Sequence, residues 1–234
     1  GGPFNQGPGF DTIRVQTLAS LTLIDCVVNE SSVGAHSAIQ VHFWGTLDLS
    51  SDDNTINVVG GGGGGRLLDY RDLGTLDVTG TTLTVDGVAF ADDFAIEDAI
   101  DHVLDNAAYG EVTWVAGNVY VTTNTLGIQR GIIAAAGDTV NVNTGTYTEN
   151  LGIGPADVTL KTLGSGTVTV DGDIQTNGNT VAFDVANTAA EVTGAINGAG
   201  GLTKDGAGTL TLSGTSSYSG ATNVSAGRLD VTGA

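Results

Sequence analysis

One short unit returns along this chain: a small residue, then Ser, Thr or Arg, then apolar–any–apolar. It reads ASLTL at Ala19–Leu23, GTLDL at Gly45–Leu49, GTLDV at Gly74–Val78, GTVTV at Gly166–Val170, GTLTL at Gly208–Leu212 and GRLDV at Gly227–Val231. Alternation of this kind, bounded by Gly, Asn, Asp or Ser, is the signature of a short strand. The unit recurs at irregular distances: 26 residues from 19 to 45, 29 from 45 to 74, 19 from 208 to 227. Such an interval is about one coil of a β-solenoid, where successive strands stack in register and bury one face inward. Further runs of the same kind lie at Thr12–Val15, Ala38–Phe43, Thr55–Val59, Thr82–Val85, Glu111–Val115, Asn118–Thr122, Thr139–Val142, Val158–Leu160 and Thr180–Val185. No helical pattern regularly separates them, which argues against a doubly wound α/β fold. A sandwich of hairpins is the competitor, but Asp-Gly and Asn-Gly turns are few (Asp86-Gly87, Asp171-Gly172, Asn177-Gly178, Asn197-Gly198, Asp205-Gly206).

Composition narrows the partners. The 234 residues hold 26 acidic against 7 basic side chains, a net charge of −19. That surface repels nucleic acid and anionic lipid and attracts divalent cations. Glycine, at 37 residues, would suit disorder, but a 40% apolar content rich in β-branched residues points to ordered strands. No apolar run reaches the ~20 residues of a membrane-spanning helix, so no membrane insertion is expected in this stretch. The chain opens on Gly1 with no apolar leader, and reads as a section of something longer. The lone Cys26, within the apolar run Leu21–Val28, reads as a core residue.

Two segments depart from the strand pattern. Asp92–Asn106 spaces Phe94, Ile96, Ile100, Val103 and Leu104 as a helix does, with acids crowding its first turns. Ile128–Ala136 is a second, shorter helix, weakened by Gly131. Either would serve as a lid over an open coil end. The six glycines Gly60–Gly65 read as a flexible loop.

The sequence IQRGIIAAAGDTVNVNTGTYTENL at Ile128–Leu151 resembles the opening of a pectin-lyase-like right-handed β-helix. There a short capping helix leads through Gly-Asp-Thr-Val into the first strand. Ile128 and Ile132 would then cover the coil end, with Val140, Val142 and Leu151 pointing into the first rungs. Gly198–Gly233, including Lys204, Tyr218 and Arg228, is similar to the autotransporter-associated β-strand repeat of large bacterial surface proteins. SLTLIDCVVN at Ser20–Asn29 looks more loosely like the rungs of surface β-helices. The resemblances imply an all-β, right-handed parallel β-helix with one or two short capping helices. The expected organisation is rungs over 1–90, a helical cap or connector over 91–136, and rungs over 137–234 ending in the repeat.

The chemistry-bearing residues are sparse. A β-helix lyase needs calcium-binding carboxylates beside a Lys or Arg base, and a glycoside hydrolase needs closely placed acids. Only Arg66–Asp72 gathers two arginines and two aspartates, and a solvated ion-pair cluster is its simplest reading. His36, His42 and His102 lack zinc spacing, and His102 on the acidic helix is read as solvent-facing. Calcium is the one cofactor the sequence offers. Its candidate ligands are Asp52 and Asp53 in one acidic turn and Asp171 and Asp173 in another, with Asp92, Asp93, Glu97 and Asp98 as a further acidic group. Trp44, Trp114, Tyr70 and Tyr120 are the aromatic rings that could stack on sugars, with core packing the simpler role for Trp114.

The resulting expectation is a secreted or surface-exposed bacterial segment, structural and adhesive and without catalysis, able to associate end to end into filaments. Its partners would be copies of itself, neighbouring repeats, extracellular glycans or cell surfaces. A polysaccharide-cleaving enzyme and a carbohydrate-binding module are the alternatives.

Overall fold

The computed structural model describes residues 4–5, 13–16, 18–30, 37–49, 53–58, 66–186 and 189–233. Asp52, His36 and the glycine run Gly60–Gly65 lie outside the described residues. The chain forms two compact units, Gly1–Ala116 and Gly117–Ala234, each built of short parallel strands stacked coil on coil. This is the parallel β-solenoid that the recurring unit predicts.

In the first unit, Ile13–Val15, Ser37–Val41, Arg66–Tyr70 and Ile100–Asp101 make one wall. Its register stacks Ile13 on Ile39, Ile39 on Leu68 and Leu68 on Ile100. The last three are buried, and each such burial contributes about 1.5–3 kcal/mol. A second wall runs through Val27–Glu30, Thr55–Val58 and Thr82–Val85. It ends in an antiparallel hairpin to Val88–Ala89. Asp86 and Gly87, both at positive φ (51° and 74°), form its two-residue turn. The third wall is in two pieces, Ser20–Thr22 with Thr46–Asp48 and Thr75–Asp77 with Glu111–Thr113.

The acidic segment is a helix for only one turn, α1 (Asp93–Glu97), capped by the Asp92 side chain accepting from Ala95 N–H at 2.9 Å. The apolar period continues past it, but the backbone does not. Leu67 N–H donates to Ala99 O at 2.7 Å and Ile100–Asp101 pairs with Leu68–Asp69 as another rung. Here a waiting strand edge overrides a helical pattern.

In the second unit, Asn118–Val121, Thr139–Val142, Val158–Thr162, Val181–Val185, Leu202–Asp205 and Thr222–Val224 form one wall. Gly145–Tyr147, Thr167–Val170, Ala189–Val192, Thr209–Leu212 and Arg228–Val231 form another, and Leu151–Gly152, Ile174–Gln175 and Ile196–Asn197 the third. All six copies of the recurring unit are strands, and within each unit they fall on the same wall.

The helix α2 (Ile128–Ala135) lays Ile128, Gly131, Ile132 and Ala135 against the end of this solenoid. Val140, Val142 and Leu151 are buried in the first rungs, as the resemblance implies. Gly131 is no weakness there: a Cβ would run into the Val121 and Val140 side chains, so glycine allows the close approach. Neither helix is long and apolar enough to cross a membrane.

Candidate functional site

The strands of the first wall carry a polar row on consecutive coils, Gln40 beside Asp69 and Asp69 beside Asp101. Arg71 grips Asp69 through Nε (2.8 and 3.0 Å) and through one terminal nitrogen (2.6 Å). Gln40 donates to the same carboxylate at 2.6 Å and lies 2.9 Å from His42. Arg66 pairs with Asp101 at 3.0 Å, and the Arg71 guanidinium sits 5.9 Å from the Tyr109 ring centre. The ion pairs expected over Arg66–Asp72 are present, but the cluster is not uniformly solvated, because Asp69 is only 3% exposed. Each of these two carboxylates is paired with a guanidinium, and burial lifts Asp101 above the ordinary carboxylate range. Burial and the neighbouring Asp72 push the Tyr70 phenol up to about 12, so it stays neutral.

The aromatic candidates separate. Tyr70 and Tyr120 are buried, and Trp114 is half-buried, packed on the core with its indole N–H donating to Asp93 at 3.2 Å. Trp44 stands 68% exposed at a corner, held in the left-handed region (φ 62°). Its backbone N–H donates to Asp72 at 2.9 Å, and its carbonyl accepts from Leu18 N–H at 3.0 Å.

The calcium candidates are scattered. Asp53 is exposed in its turn, and Asp52 lies outside the described residues. Asp171 Oδ1 accepts from Thr193 Oγ1 at 2.7 Å, and Asp173 Oδ1 from Ala195 N–H at 2.8 Å. Both bonds clasp one coil to the next.

Sequence reasoning named Glu97 among the acidic groups but did not join it to His102 and Asp105. One donor atom of each lies within 4.8 Å of the other two, the only such His, Cys, Asp or Glu group among the described residues. His102 is 2% exposed, not solvent-facing. Assuming a continuous helix placed it on the outer face; the break after Glu97 turns it inward. Its Nδ1 accepts from Val112 N–H at 3.1 Å, so the ring proton sits on Nε2, which donates to Glu97 Oε1 at 3.0 Å. Asp105 accepts from the His102 backbone N–H at 3.1 Å. Burial lifts the carboxyls of both Glu97 and Asp105 above the ordinary carboxylate range.

Lys204 occupies an inward position, stacked between Phe183 and Val224, and is 0% exposed. Its ammonium donates to the carbonyls of Asp205 (2.5 Å), Gly206 (2.8 Å) and Ala226 (3.2 Å), which matches three protons to three acceptors. The lysine therefore ties its own corner to the next coil. Burial pulls it below the ordinary lysine value.

Each unit is a parallel β-solenoid, and in the second residues 202–231 match the family model of the passenger-associated-transport-repeat of autotransporters. The chain is also similar to the Adhesin BmaC autotransporter of Brucella suis biovar 1 (strain 1330), with 32% identity over 210 residues. That match takes in 76% of this chain, which spans 6% of the length of the relative. No solved structure matches.

Proposed function

We propose that this chain is a non-catalytic, adhesive segment of a bacterial surface or secreted autotransporter passenger. The observation that carries this reading is the passenger repeat at 202–231, supported by the similarity to an adhesin over most of the chain. The solenoid supplies stiffness through its backbone ladders and stacked apolar rows, and the acidic exterior keeps it soluble. Self-association is the finer part of the proposal.

The test displays the chain on a non-adherent bacterium and measures retention on host cells and matrix. Negative-stain imaging of the purified chain scores filaments. Retention above the empty display vector supports adhesion; product release in a polysaccharide lyase and hydrolase screen overturns the non-catalytic reading. Glycan binding is a second reading, favoured by the exposed indole of Trp44. It requires that Trp44→Ala abolish binding to a glycan array.

A further inference from the structure

We propose that Glu97 and Asp105 bind a hard divalent cation in the first unit, with His102 as the residue that positions Glu97. Two independent observations point there. One atom each of the Glu97 carboxylate, the His102 ring and the Asp105 carboxylate lie within 4.8 Å of one another across α1 and the loop that follows Ile100–Asp101, which brings the two carboxylates together. Separately, Glu97 is 0% exposed and its Oε2 has no hydrogen-bond partner, an arrangement that is costly for a carboxylate unless a cation or proton meets it.

The tautomer of His102 selects the class of metal. Val112 N–H occupies the Nδ1 lone pair and Nε2 carries the proton given to Glu97 Oε1, so the imidazole has no lone pair to offer. The protein donors are then the Glu97 and Asp105 carboxylates, with Glu97 Oε2 the oxygen left without a partner. An all-oxygen set suits Ca²⁺ or Mg²⁺ and not Zn²⁺, and water completes the coordination. The His102–Glu97 bond is an outer-shell contact of the kind that orients a metal-binding carboxylate. Asp98, Asp101 and Glu111 act electrostatically on the same group, with Arg66 opposing them at Asp105. Asp105 is only half-buried, which gives an ion a way in.

The chain carries its own reporter. The Trp114 ring lies 6.2 Å from the His102 ring, and Trp44 is the other tryptophan. In the full chain with Trp44→Phe, Ca²⁺ and Mg²⁺ are titrated after chelator treatment while Trp114 emission and Tm are followed. A saturable emission change with Kd in the range of about 0.01–1 mM is expected for one of the two ions. Tm should rise by about 4 °C at tenfold excess over Kd. Glu97→Gln and the milder Asp105→Asn should each weaken binding at least tenfold. Asp171→Asn should leave the Trp114 response unchanged. A flat titration with both ions, a response to Zn²⁺ alone, or an Asp105→Asn variant that binds like the parent overturns the assignment.

Discussion

The N-terminus of α2 is capped from a distance, and breaking that cap gives a measurable test. Gly127, the residue before the helix, offers no side chain to it. Glu149, 22 residues further on, supplies the cap: Oε1 accepts from Ile128 N–H at 2.6 Å and Oε2 from Gln129 N–H at 3.0 Å. Gln129 closes a second link, its side chain exchanging hydrogen bonds with Gly152 N–H (2.5 Å) and O (3.3 Å). Loss of a capping side chain costs about 0.5–2 kcal/mol and loss of the charge at the helix dipole about 0.3–1 kcal/mol. Glu149→Ala should therefore destabilise the second unit by about 2 kcal/mol, and Glu149→Gln by about 1 kcal/mol, because Gln keeps one acceptor. In urea unfolding the midpoint should fall with an unchanged slope. Hydrogen exchange should quicken first at the amides of Ile128 and Gln129. Gly127 provides the cross-check, since a Cβ there would meet the Glu149 carboxylate and the backbone sits at φ 103°. Gly127→Ala should then displace the cap, and the double variant should be less destabilised than the sum of the singles by at least about 0.5 kcal/mol. A Glu149→Ala chain within about 0.3 kcal/mol of the parent, or strict additivity with Gly127→Ala, would refute the reasoning.

Lys204→Met keeps the inward bulk but strands the three carbonyls, and should cost roughly 2–4 kcal/mol by the same unfolding measurement. Lys204→Arg should fail to rescue, because a planar guanidinium cannot meet three carbonyls gathered round one nitrogen. Gly131→Ala, a gain in most exposed helices, should instead destabilise by about 1–3 kcal/mol through overpacking against Val121 and Val140, read as a lower Tm. Asp69→Asn should lose about 1–2 kcal/mol by the same unfolding measurement, because the carboxylate is buried while its partner Arg71, 37% exposed, stays hydrated.

The solenoid was legible because its determinants are local and repeat. A five-residue run that opens on a small residue and alternates says strand wherever it occurs, and gaps of 19, 26 and 29 residues between neighbouring runs say stack. The capping helix α2 was legible for the same reason, with its apolar face and the strand that follows it contiguous in the chain. What only the tertiary structure decided lies wherever a residue's partner is one coil away. The period of Asp92–Asn106 is helical, yet the Leu67–Leu68 edge takes Ile100 into a ladder, and that break buries His102 against Glu97. The cap that Glu149 gives α2 and the three carbonyls that gather round Lys204 exist only once the coils are stacked. A single coil cannot bury its own inner face or satisfy its own corners, so the local pattern sets which residues form strands. The neighbouring coil decides which polar groups end up inside.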